Sequence, residues 1–364
     1  MRRPNFLALG LVLVVVSSGV ITTLGANSAE IVQTLRSRLL DANLSSADLD
    51  VIAQKKAVVH SISSSNPKEI AGMGVILADA PPEAFVDSYR TLTVFKNSPK
   101  VLELGAFSNP PSIKDLDGLH IDNEDLNAMS KAKVGDSEVK LAESEIRRFQ
   151  DIASRFQGAR EQLKERIAAE FKKIVLERAD SYLRNGGAGV SAYADKPEPV
   201  SADASFRSLA GEEKQSRMAC DHVCTFLEGS APGGASRGDS AFLYWAKERF
   251  GELKSVINVF HVLIHKEGDR FFIASKQVYS SHYTEAALSV AEFIPFRDSG
   301  GRQHTIIAYT LRLQADMLGS GPLGFMKKRM ASPKILAGLK ESLERLQVTL
   351  ESASAAQSEE VAQN

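Results

Sequence analysis

The 364-residue sequence predicts an α+β fold: an antiparallel β-sheet closed by a long C-terminal helix and enlarged by a large helical insertion. Three observations carry that reading. Four strand-like runs, residues 255–265, 270–280, 286–293 and 303–313, follow one another through short turns, the spacing of an antiparallel meander. Ile146, Phe149, Ile152, Phe156, Leu163, Ile167, Phe171, Ile174 and Tyr182 recur at mostly three- and four-residue steps, the period of an amphipathic helix. After Ser332 and Pro333, Leu336, Leu339, Leu343, Leu346 and Leu350 share one helical face.

The other elements follow in order. Residues 31–40 place Ile31, Leu35, Leu39 and Leu40 on one side of a short helix, and residues 45–54 form a second, capped by Ser45 or Ser46 with Asp48 in its first turn. Residues 57–62 and 70–78 alternate as strands around a Ser-rich turn ending in Pro67, a hairpin pattern. Pro81 and Pro82 then start a helix, because proline's missing N–H has no partner at the first helical position, and Glu83 complements the helix dipole. Residues 101–107 read as a strand, 123–131 as a helix and 137–141 as a strand. The long helical run over residues 142–184 can be split by Gly158 and ends at Asn185, Gly186 and Gly187. Residues 186–205 and 229–240 read as loops flanking one or two short helices, and residues 240–250 as a short helix containing Trp245, the single tryptophan. The helical insertion is therefore expected over about 142–250, inside a body spanning 30–350, with 351–364 a flexible polar tail.

Residues 1–29 are expected to be a signal peptide or membrane anchor. Arg2 and Arg3 precede a stretch, residues 6–26, that contains no charge. Its apolar part is the right length for a signal h-region, and the whole is just long enough to span a bilayer. On either reading the basic start stays inside and the body lies on the periplasmic or extracellular side. The body is nearly neutral: without Arg2 and Arg3, 42 basic side chains face 45 acidic ones. A basic face for nucleic acid is not part of such a composition, so no nucleic-acid partner is expected.

Two stretches carry a family resemblance. Val75-Ile76-Leu77-Ala78-Asp79-Ala80-Pro81-Pro82-Glu83-Ala84-Phe85 is similar to the opening strand and first helix of the START/polyketide-cyclase superfamily, the helix-grip fold. The meander, followed by Gly321-Pro322-Leu323-Gly324-Phe325-Met326 and the helix from Pro333, resembles that superfamily's closing sheet and terminal helix. The matching pieces cover about half the chain, and the helical block over 142–250 departs from the compact members. The resemblance implies a cavity between a curved sheet and the last helix. Members bind lipids, sterols or polyketides there, and some are enzymes. The expected function is a binding module for a hydrophobic small molecule, a lipid first, with no cofactor. A cyclase- or hydrolase-type enzyme using the same cavity and a non-catalytic envelope scaffold are the alternatives.

Candidate site residues come from the meander and the segment before it. Cys220 and Cys224, the two cysteines, have three readings: a short-range disulfide, two thiols, or a metal site shared with His222. His261 and His265 face the same side of one strand, but about 13 Å apart, which rejects a shared ion. Lys276 shares a face with Phe272, Ala274 and Val278; it either reaches water or points inward toward an anionic head group. Tyr279, His282 and Tyr283, at a strand-to-strand junction, are candidate rim residues, and Trp245 a candidate wall. Ser280 and Ser281 next to His282 suggest a nucleophile and base, but adjacent strand residues point to opposite faces, and no Gly-x-Ser-x-Gly elbow occurs. No catalytic residue and no metal ligand are assigned from the sequence.

Overall fold

The computed structural model describes residues 20–39, 42–92, 98–215, 221–229, 239–316, 318 and 322–363. Helix α1 (Val20–Arg38) leads into α2 (Ser46–Ala53). Of the two candidate caps it is Ser45 that caps α2: its hydroxyl accepts from the Asp48 amide, and the Asp48 carboxylate accepts from the Ser45 amide, a reciprocal capping box. The hairpin β1 (Val58–Ile62) and β2 (Glu69–Ala78) pairs Val58 with Val75 and Ile62 with Ala71. Helix α3 (Glu83–Arg90) starts directly after Pro82, and β3 (Val101–Ala106) follows.

The middle of the chain is helical. Helices α4 (Asn123–Ser130), α5 (Glu143–Arg155) and α6 (Arg160–Asn185) are followed by α7 (Ala202–Gln215) and α8 (Asp221–Gly229). The break between α5 and α6 contains Gly158, whose φ of +84° is a left-handed conformation that side chains disfavour. Strands β4 (Ser240–Glu248), β5 (Val256–Glu267), β6 (Arg270–Ser280), β7 (Thr284–Arg297) and β8 (Gln303–Ala315) complete the sheet, and α9 (Pro322–Gln363) closes the chain.

Among the described residues, eight strands form one antiparallel sheet in the order β1-β2-β8-β7-β6-β5-β4-β3. The meander predicted from the sequence is its centre, and the last strand pairs with β2 from the first hairpin, with Ile76 opposite Ile307. The chain is thus α+β with an antiparallel sheet and a terminal helix across one face.

That sheet has two unlike faces. One, the helical face, is buried over most of its area. Val75, Leu77 and Ile306 pack under Ile31, Leu35 and Ile52 of α1 and α2. Leu263, Phe272, Ala274 and Leu288 pack under Phe206, Val223 and Leu227 of α7 and α8. Leu243, Trp245, Val259 and Tyr279 pack under α4, α5 and α6. Buried charges tie these helices to the strands: Arg312 of β8 donates to Glu213 of α7 at 2.6 Å and to Glu69 of β2 at 2.7 Å. The opposite, or grip, face carries α3 and α9, with Leu339, Leu343 and Leu350 of α9 in its core.

Several local expectations are corrected. Residues 240–248 are a strand, not a helix, so the helical insertion ends at Gly229 and Trp245 is a sheet residue. The run Phe242-Leu243-Tyr244-Trp245 shows no alternation because its residues face two covered layers. Residues 137–141 form no strand; their backbone bonds go to loops instead, Lys140 N–H to Ser281 and Leu141 C=O to Ala194. Helix α9 begins at Pro322 and runs through Pro333, so the proline expected to open the helix lies inside it, and residues 352–363 are helical rather than a frayed tail. Residues 1–19, most of the expected leader, and Cys220 lie outside the described residues. The 29/30 boundary falls within α1, and no helix among the described residues is long and apolar enough to cross a membrane.

Candidate functional site

Strand alternation sorts the candidate residues. On β5, His261 and Leu263 face the helical layer, whereas Phe260, Val262 and Ile264 face the grip side. Pairing carries the same division across the sheet: Gln277 lies opposite Phe260, Ser275 opposite Val262, and Ser289 opposite both Ser275 and Leu311.

Where α9 crosses β1 and β2 the seam is closed. A Cβ added to Gly72 would sit 2.5 Å from Leu336 Cδ2, and one added to Gly74 would sit 2.4 Å from Leu343 Cδ1. Only glycine lets the helix approach so near. Farther across the same face the cover thins. Phe242, Phe260, Ser289, Tyr309, Leu311 and Leu313 belong to interior strands, yet all remain partly accessible. Burial pushes the Tyr89, Tyr244 and Tyr309 phenols up from their ordinary value.

The accessible part of this face is aromatic and aliphatic. Tyr244 stacks on Phe260 with ring centroids 5.1 Å apart, and Phe242 lies 6.4 Å from Tyr244. Beside it runs a short polar thread. Gln277 Nε2 donates to Asn258 Oδ1 at 3.0 Å, and Asn258 Nδ2 donates to Glu248 Oε2 at 2.7 Å. Because a carboxylate accepts, Glu248 sets the orientation of Asn258, which in turn sets that of Gln277. Gln277 Oε1 is left buried with no hydrogen-bond partner among the described residues. Burial raises the Glu248 carboxyl, while its bond from Asn258 and the charge of Lys100 pull the other way. The accessible apolar surface thus lies next to one buried amide oxygen, Gln277 Oε1, that has no donor among the described residues.

The residues singled out from sequence lie elsewhere. Trp245 is buried on the helical face, its indole N–H donating to the Asp115 carbonyl at 2.8 Å. His261 Nδ1 and the Tyr182 hydroxyl are hydrogen-bonded at 2.8 Å, and Nε2 is buried with no partner among the described residues. Lys276 does not reach water: it is buried, donates to Asp203 Oδ1 at 3.3 Å and the Leu227 carbonyl at 3.1 Å, and lies 4.1 Å from the Phe206 ring centroid. Tyr279 donates to the Lys140 carbonyl at 3.1 Å. His282 has Glu138 O at 3.0 Å and Asp125 Oδ1 at 3.1 Å, while the Ser280 hydroxyl donates to the His282 carbonyl and the Ser281 hydroxyl accepts from Ile257 N–H. Tyr283 occupies a positive-φ turn, and its hydroxyl accepts from Lys254 N–H. His265 meets a partner the sequence did not suggest, Asp239 at 2.6 Å, which also contacts His222 at 3.0 Å; these three could hold a metal. Cys224 is buried in the α7–α8 core.

Glu248, Asn258, Phe260 and Gln277 were passed over. The available signal was the opposite phase of strands already recognised: each residue lies one or three positions from a histidine or lysine that drew attention, or on the strand read as a helix. Compared with known proteins, the sequence matches no protein-family model and no curated relative.

Proposed function

We propose that this chain is an exported or membrane-anchored, non-catalytic binding module for a hydrophobic small molecule, a lipid first, held on the grip face between α9 and strands β4 to β8. One observation carries the reading. In the interior of the sheet, apolar surface around Phe242, Phe260 and Leu311 stays accessible beside a buried amide oxygen, Gln277 Oε1, that has no donor among the described residues. Burying apolar ligand surface there contributes roughly 25 cal/mol per Å². With a side-chain shift that opens a path to it, a ligand hydroxyl or N–H would relieve this buried acceptor, whose desolvation otherwise costs about 1–3 kcal/mol. The uncharged stretch over residues 6–26 behind Arg2 and Arg3 supports export.

Native mass spectrometry of the protein purified from membranes and from the soluble fraction tests this. The expected spectrum carries an added mass in the range of a lipid, removed by organic extraction. A protein that leaves the cell empty and takes up nothing from lipid extracts contradicts the proposal.

A further inference from the structure

His222, Asp239 and His265 come from three different elements and converge at one corner of the helical face. Asp239 immediately precedes β4, and pairing of Ser240 with Ile264 sets it beside His265 on β5. Helix α8 buries Val223, Cys224, Phe226 and Leu227 against β5, β6 and β7, which fixes its first turn, and so His222, above the same carboxylate. His222 Nε2 lies 3.0 Å from one Asp239 oxygen and His265 Nδ1 lies 2.6 Å from the other. The two imidazole rings overlap with centroids 4.4 Å apart at 37°. One donor atom from each of the three residues falls within 4.8 Å of the others.

We infer that this corner is a binding site for a borderline divalent transition-metal ion such as Zn²⁺ or Co²⁺. The donor set decides the class. Two imidazole nitrogens and one carboxylate oxygen suit zinc, cobalt, nickel or copper, whereas Mg²⁺ and Ca²⁺ prefer all-oxygen shells. Ligand bonds of about 2.0–2.2 Å need donor atoms a little over 3 Å apart, so the observed spacing requires only small side-chain movements. The degree of burial is graded in a useful way. The Asp239 side chain is 2% exposed, His265 17% and His222 37%, so the anionic ligand is held in the protein and a further coordination position opens outward past His222. Three protein ligands with an outward opening is the pattern of a metal that can still take water or a small anion, rather than of a closed structural centre. The site lies on the helical face, away from Gln277, and stands independently of the lipid-binding proposal.

The test is titration of Zn²⁺, and separately Co²⁺, into chelator-treated full-length protein. One equivalent should bind, and bound cobalt should show the intense visible bands of low coordination number. H222Q and H265Q should each weaken binding by at least the roughly 10–100-fold that loss of an outer-shell partner costs. H120Q, at an exposed histidine elsewhere, should leave it unchanged. The half-exposed His222 makes H222Q the decisive variant if H265Q fails to fold. Absence of one-equivalent binding, or binding that H222Q leaves intact, overturns the inference.

Discussion

His261 shows how far a residue's neighbours can pull it from its solution chemistry. It is fully buried, and it sits directly across the ladder from Lys276. Burial first, and the adjacent ammonium second, lower its pKa to about 3, so it is neutral in the folded protein at any ordinary pH. The sign of the linkage follows. Unfolded, the imidazole gains a proton below about 6.5; folded, it does not until about 3, so the unfolded state is favoured progressively as pH falls through that window. The slope from this one group is about 1.4 kcal/mol per pH unit at most. H261Q should therefore lose less stability than the wild type between pH 6 and 4, roughly in urea-melt terms one proton's worth less. Parallel stability–pH curves for the two proteins would contradict this. His261 and Lys276 were visible in the sequence as polar residues inside a strand. Their partners were not, because Tyr182 and Asp203 lie 79 and 73 residues away on helices whose docking only the fold determines.

At the scale of elements, the contact between α9 and the first hairpin depends on two glycines. Gly72 and Gly74 lie on the grip face of β2, and the missing side chains are replaced by Leu336 and Leu343. G74V should force the helix outward and destabilise the protein by about 1–3 kcal/mol, the usual cost of overpacking. A melting temperature equal to wild type would show that the seam is looser than described. Those leucines were legible as a stripe at helical spacing, as were the hairpin, a serine cap at Ser45 or Ser46 and the four-strand meander. Elements with both faces covered were harder to read. β4 carries Phe242 and Tyr244 toward one layer and Leu243 and Trp245 toward the other, so it has no period to detect. The start of α9 was hidden by Pro333, which ordinarily ends a helix because it cannot bond the carbonyl four residues earlier. Here the helix already runs from Pro322, and Leu339, Leu343 and Leu350 beyond the proline are anchored in the grip-face core.

For the whole molecule, the division of the sheet into two faces organises everything else. The helical face is covered over most of its area by α1, α2 and α4 to α8 and stitched by buried pairs such as Arg312 with Glu69 and Glu213. The grip face is closed over β1 and β2 and buried over much of the remaining sheet, but it keeps an accessible patch around Phe242, Phe260, Tyr309 and Leu311 near Gln277, Asn258 and Glu248. The class of fold could be read from periodicity alone. Which face of the meander was sealed could not, since alternation gives two phases and does not say which layer will cover each. The histidines and the lysine drew attention to the phase that the helical insertion buries. The most direct measurement of the central claim is photo-crosslinking with a diazirine-bearing lipid, followed by peptide mapping. Saturable labelling at Phe242, Phe260, Leu311 and their neighbours on the grip face is the predicted result. Labelling confined to outward apolar residues such as Met326, Met330 and Val348, or none that saturates, would contradict it.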